Sequence, residues 1–151
     1  MTVRIDSTVL IDRPVEDVYA LVLDFEQIPT WDPDTQTVVK ITEGPVGVGT
    51  KFQFEQDVRG KRRTSTTRIT ALEPNRTIDA EAQIGPKFSP MIRMTFTPED
   101  GRTRLTVQGE GEPRGVLKLM SRPMTRMGKR IWDRRLDHLR SYLEAQARGS
   151  A

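Results

Sequence analysis

Along the first segment of the chain, Val3, Ile5, Ser7, Val9 and Ile11 fall on every second position, with Arg4, Asp6 and Thr8 between them. A period of two places them on one face of a strand running from Val3 to Ile11. Asp12-Arg13-Pro14 interrupts the alternation; Pro14 stands where a first helical residue is expected, with Asp12 as its candidate cap. Val15, Val18, Tyr19 and Val22 then recur at helical spacing, which predicts a short amphipathic helix. Glu16 and Asp17 sit near its N-terminus, where the helix dipole favours acids. A second short turn, Phe25 to Trp31, is closed by Asp32-Pro33.

From Thr35 to Gly111 the period returns to two. Val39 and Ile41, Phe52 and Phe54, Ile69 and Ala71, then Ile78, Ala80 and Ala82 each alternate with polar neighbours. Ile92, Met94 and Phe96 follow, then Leu105, Val107 and Gly109. Turn signals separate these runs at Gly44-Pro45, Arg59-Gly60, Pro74-Asn75 and Glu99-Asp100-Gly101. Short turns and clean alternation predict an antiparallel meander, one face wet and one buried, of seven strands counting the first.

The segment from Val116 to Ala147 is helical, but its apolar stripe moves. At about 100° per residue, Leu119, Met120, Pro123, Met124, Met127 and Ile131 cluster on one side, and Trp132, Leu136, Leu139 and Leu143 on another. Pro123 is tolerated only near a helix start, and Ser121 is a candidate cap. The pattern predicts a short helical turn to Met120 and a long helix from about Arg122. Its first half faces something different from the core that its second half meets.

Composition narrows the chemistry. The chain has 151 residues, with 35% hydrophobic and 30% charged and a net charge of +3, which fits one globular α+β domain over residues 1–151. With no Cys, disulfides, thiol nucleophiles and Cys-ligated zinc are excluded. A single histidine, His138, leaves no multi-histidine metal site and little material for a Ser-His-Asp triad, so neither metal nor cofactor is expected. No apolar run reaches the roughly 20 residues of a membrane span or the length of a signal peptide, so a soluble cytoplasmic protein is expected.

Particular runs go further. Ile11-x-x-Pro14-Val15-Glu16-Asp17-Val18-Tyr19 is followed by Asp24-Phe25, by Ile28-Pro29-Thr30-Trp31-Asp32-Pro33 and by Gly47-x-Gly49-Thr50-x-Phe52. Gly101-x-Thr103-x-Leu105-Thr106 opens the last strand, and Gly115 begins the long helical segment. In these runs and in its element order the chain resembles the helix-grip fold of the START/Bet v 1-like (SRPBCC) superfamily. More narrowly, it resembles the bacterial polyketide cyclase/dehydrase and lipid-transport family. The resemblance implies a curved sheet gripping the long helix, with a hollow between them, and a family of cyclases, lipid carriers and coenzyme Q-binding proteins. Fold alone does not choose among these.

The candidate lining of such a hollow is Phe52, Phe54, Ile78, Met94 and Phe96 from the strands, with Met120, Met124 and Met127 from the helix. Three methionines on one stripe suit an adaptable apolar pocket, although each residue alone also fits ordinary core packing. In the resembled family the Trp31 region lies near the cavity mouth, so Trp31 either covers a ligand or anchors helix to sheet. Thr67 and Ser65 share the inward parity of Ile69, as does Arg63 beside a turn; these three are candidates to orient a ligand's polar end. His138 lacks an obvious partner in sequence and reads as a structural or surface histidine rather than a catalytic base. Asp57, Asp79, Glu81 and Glu110 fall on the polar parity and point outward. No catalytic residue is assigned.

Residues 112 to 148 hold ten Lys and Arg against four Asp and Glu. Arg122, Arg126, Lys129, Arg130 and Arg134 form a basic band on the long helix, and Gly60-Lys61-Arg62-Arg63 a basic hairpin tip. A solvated face is the ordinary meaning of such a band; weak contact with an anionic membrane surface or an acidic carrier protein is the functional alternative. Without interleaved aromatics, nucleic acid is not expected as a partner. The expected function is binding or transport of a hydrophobic small molecule (lipid, polyketide or isoprenoid-like) in an internal cavity. Two alternatives stand beside it: an aromatase/cyclase-like enzyme acting in the same cavity, and a protein-interaction module. Oligomeric state is left open.

Overall fold

The computed structural model describes residues 2–58 and 60–149, in which seven strands form one antiparallel sheet. In chain order they are β1 (Val3–Ile11), β2 (Thr35–Lys40), β3 (Lys51–Val58), β4 (Lys61–Glu73), β5 (Thr77–Gln83), β6 (Met91–Glu99) and β7 (Arg102–Gly111). Strands β2 to β7 run as a meander, and β1 closes the far edge against β7. Between β1 and β2 the chain makes helix α1 (Val15–Leu23), a 3-10 turn at Phe25–Gln27 and the single-turn helix α2 (Ile28–Trp31). After β7 come a 3-10 segment, Gly115–Met120, and the long helix α3 (Ser121–Gly149). The expected architecture is therefore present, with its helix break just before Pro123, between Met120 and Ser121. Pro123 lies in the first turn of α3, where backbone N–H groups have no intrahelical partner to lose.

Three local expectations need correction. In α1, Pro14 is the extended N-cap rather than a helical residue, with no side-chain cap; the Asp12 amide instead donates to Glu144 Oε2 of α3 at 3.0 Å. In β2, Val38 rather than Val39 faces inward: Val38 is buried, whereas Val39 and Ile41 are 52% and 51% exposed. A bulge between Thr35 and Thr37 reverses the parity. A second bulge, between Ile69 and Ala71, leaves Ala71 exposed and sets Leu72 opposite Ile78. Arg59 of the expected Arg59-Gly60 turn lies outside the described residues. The β6–β7 hairpin turns on Asp100 and Gly101 alone, both at positive φ (53° and 79°), the conformation a two-residue turn requires.

The outer face is wet and cross-linked by charge. Arg93 donates to both carboxylate oxygens of Asp79 (2.8 and 2.7 Å), its neighbour across the strands. Arg68 pairs with Glu81 and Arg4 with Glu110 in the same manner. These acids point away from the inner face, as the parity predicts, and Asp57 is exposed. The inner face carries a continuous apolar cluster joining the sheet to α1, α2 and the second half of α3, including Ile11, Val18, Phe25, Ile78, Leu105, Leu139 and Leu143.

Candidate ligand-binding hollow and its polar seam

Helix α3 lies along β1. Ile5 is wedged there between two glycines: a Cβ on Gly109 of β7 would stand 3.1 Å from its Cγ1, and one on Gly128 of α3 would stand 3.0 Å from its Cδ1. A glycine in a helix interior is unfavourable by about 1 kcal/mol relative to alanine. At Gly128 the close approach of helix to strand supplies the reason. Next along, the buried Ser7 hydroxyl donates to Asp133 at 2.5 Å, and Lys129 Nζ donates to the Asp6 carbonyl at 3.1 Å. The Ser7 hydrogen bond, with help from Lys129, holds the Asp133 carboxyl below its ordinary value against the opposing effect of burial.

On the inner face, strand register sorts side chains by size. One row runs Ser7, Val107, Met94 and Ile78, and is well filled. The next runs Ile5, Gly109, Ile92, Ala80 and Ile69, and the one beyond sets Ala82, Thr67 and Phe52 side by side. Small residues therefore gather toward the end of the sheet that holds Gly109, Ala80, Ala82, Thr67 and Ser65. There Ile5, Ile92, Ser65 and Thr67 stay half-buried although they point inward, while Ile78 and Phe96 are 0% and 3% exposed. The first half of α3 shows the same openness, with Met124, Met127 and Ile131 half-buried.

The expected lining residues divide between two settings. Phe52 and Phe54 pack on Phe25, with ring centroids 4.9 and 6.1 Å apart, and Phe96 packs edge-on against Tyr19 at 4.9 Å. Ile78, Met94 and Trp31 belong to the same buried cluster. Met124 and Met127 lie outside that cluster, Thr67 sits between Phe52 and Ala82, and Met120 is 48% exposed on the 3-10 segment. Arg63, at the hairpin end of its strand, is exposed. Trp31 is buried, and its indole Nε1 has no hydrogen-bond partner among the described residues. Such an orphan is unusual, because leaving a buried donor unmade costs about 1–3 kcal/mol.

Where α2 meets the second half of α3 lies a polar seam that sequence reasoning missed. Asp32, 1% exposed, accepts from Thr35 Oγ1 (2.7 Å), the Asp34 amide (3.2 Å) and Arg135 Nε (3.0 Å), and His138 Nδ1 lies 3.3 Å from it. Burial pushes its carboxyl up, but the Arg135 charge and these hydrogen bonds outweigh burial and hold it below the ordinary carboxylate value. Arg135 also stacks over the Trp132 ring, 4.6 Å from its centroid. Asp32, Asp34 and His138 bring three possible ligand atoms within 4.8 Å of one another. Two guanidinium groups already occupy those carboxylates, since Arg134 holds Asp34 at 2.8 Å. A cation would have to displace them, so the donor set suits an ion-pair lock better than a metal centre. In sequence, Asp32 reads only as a helix stop, and its charged partners on α3 lie 103 and 106 residues away. Only the 3-residue spacing of Arg135 and His138 hinted that both reach one point.

A long helix laid on a seven-stranded antiparallel sheet, with two short helices between the first two strands, defines a helix-grip protein. The family model described as polyketide cyclase/dehydrase and lipid transport matches residues 2–144, and the chain belongs to that family. Among solved structures, the ZhuI aromatase/cyclase from Streptomyces superposes with a TM-score of 0.86 at 20% identity, over 100% of this chain and 99% of that one. A START superfamily protein from Mycobacterium smegmatis gives 0.80 at 18% identity, over 95% and 98%. Ara h 8.0201 gives 0.76 at 16% identity, over 96% and 99%. At these identities the likeness is one of fold. No curated protein matches the chain by sequence.

Proposed function

We propose that the chain binds or carries a hydrophobic small molecule, lipid, polyketide or isoprenoid-like, between the small-residue end of the inner face and the methionine half of α3. One observation carries this reading. Inward-pointing Ile5, Ile92, Thr67 and Ser65 of the sheet and Met124, Met127 and Ile131 of the helix all stay half-buried, beside buried Ala80, Ala82, Ile69 and Phe52. Glycine, alanine and hydroxyl side chains take several places in those rows, and protein interiors tolerate few voids unless something fills them. Methionine adapts to a ligand of varied shape. Phe52, Phe54, Ile78, Met94 and Phe96 form the floor, Ser65 and Thr67 offer hydroxyls to a polar end, and the unpartnered Trp31 Nε1 offers a donor at α2. Met120 lies at the outer rim.

Native mass spectrometry of the protein as purified from cells tests the proposal, together with titration of an environment-sensitive apolar dye. A retained lipid-like mass, or saturable dye binding near one site per chain, is expected. Absence of both in a folded sample overturns it and leaves the interaction module. Catalysis in the same hollow would work chiefly by restraining a flexible chain. Conversion of a bound reactive polyketide to a cyclised product, rather than its unchanged release, would identify that enzyme reading.

A further inference from the structure

Residues 113 to 132 hold six Lys and Arg and no Asp or Glu. Their first turn, the 3-10 segment Gly115–Met120, leaves Val116 71% and Leu119 87% exposed, with Met120 at 48%. Side chains three apart eclipse one another in a 3-10 helix, so Val116 and Leu119 form one apolar edge. The Arg114 amide donates to the Lys87 carbonyl at 2.9 Å, which ties this segment to the β5–β6 loop, where Ile84 is 47% exposed. Most arginines elsewhere are paired, among them Arg4, Arg13, Arg62, Arg68, Arg93 and Arg104. Arg114, Lys118, Arg122, Arg126 and Arg130 are all exposed, and among the described residues none of them is in an ion pair. An apolar ridge flanked by unpaired cations has a specific physical use.

We infer that this lip docks on an anionic lipid bilayer, with Val116 and Leu119 entering the interface and the five cations facing the headgroups. Apolar insertion and attraction of basic residues to acidic lipid add in such a contact. A ridge suits a fluid interface, which needs no matching pocket, better than it suits a folded acidic protein, which would need a shaped groove. The contact lies on the surface: no helix of the described chain is long and apolar enough to cross a membrane. The inference does not depend on a ligand in the hollow, so either can fail alone.

Co-sedimentation with phosphatidylcholine vesicles, with and without phosphatidylglycerol, tests it. Binding is expected only to the anionic vesicles, and it weakens as salt rises. Val116→Ser with Leu119→Ser lowers partitioning by about tenfold at unchanged charge. Lys118→Gln and Arg122→Gln each lower it by about fivefold. All four side chains are exposed, so melting curves should match the parent protein. The inference is overturned if the parent ignores anionic vesicles or if the apolar pair makes no difference. It is also overturned if an acidic carrier protein binds the lip while vesicles do not.

Discussion

Between Ser121 and Ile131, α3 buries only Ser121, and its methionines stay half-exposed; between Trp132 and Leu143 it buries Leu136, Leu139 and Leu143 to 3% exposure or less. Both stretches are ordinary helix, so propensity does not separate them. What separates them is the facing surface. The second stretch joins the buried cluster shared with α1, α2 and the sheet and is locked at Asp32, whereas the first lies on β1, with Gly128 against Ile5 and Lys129 on the Asp6 carbonyl. One helix is thus a keystone at one end and half-exposed at the other, the end proposed to roof the hollow.

The sharpest way to break that comparison is to truncate each half. Leu139→Ala removes a fully buried side chain from packed surroundings and should destabilise by about 2–5 kcal/mol, read by denaturant unfolding, with dye binding unchanged. A smaller loss, or loss of dye binding, would show that the keystone end is not ordinary core.

The lock comes next. Asp32→Asn leaves Arg135 and His138 without their carboxylate, and an expected loss of about 2 kcal/mol follows from removing one partner of a largely buried pair. Its pH dependence has a definite sign. The native Asp32 carboxyl lies below its ordinary value, so the parent keeps this stabilisation above the ordinary carboxylate range and loses it as pH falls through the native value. The gap between parent and variant should therefore close on acidification. A gap independent of pH would remove the lock from the account.

Met127→Ala tests the roof. If that half of α3 covers a hollow, the truncation enlarges space already open, and the loss should fall below the roughly 2 kcal/mol at which packed Met→Ala changes begin. Dye affinity or preference should shift instead. A full core-sized loss with unchanged binding would make the methionine stripe plain packing.

The division of α3 was legible in sequence because the helical wheel records faces: the apolar stripe moves between Ile131 and Trp132. The strands were legible for the same reason, and they fail where a bulge adds one residue and reverses parity, as at Thr35–Thr37 and Ile69–Ala71. Periodicity carries no sign of a bulge in advance. Asp32 was illegible for a different reason. A buried acid announces itself only through its partners, and Arg135 and His138 are brought to it by tertiary packing of α3 on α2. The small-residue rows were likewise hidden, since Gly109, Ala80, Ala82 and Thr67 become neighbours only when four strands, β4 to β7, fall into register.

Trp31 gives the smallest change in stability and the finest test. It sits where α2 meets α3, and its buried Nε1 donates to no described residue. In a plain core anchor, Trp31→Phe loses packing volume with nothing in return. Here the loss is offset by removal of an unsatisfied donor, so stability should change by less than about 1 kcal/mol. Binding separates the roles further. A probe with a carbonyl should lose about threefold to tenfold in affinity, the worth of one hydrogen bond of about 0.5–1.5 kcal/mol. A hydrocarbon probe of similar shape should lose little. If both probes weaken equally, Trp31 contributes wall and no donor; if neither weakens while stability drops, it belongs to the keystone end of the molecule and the roof ends short of α2.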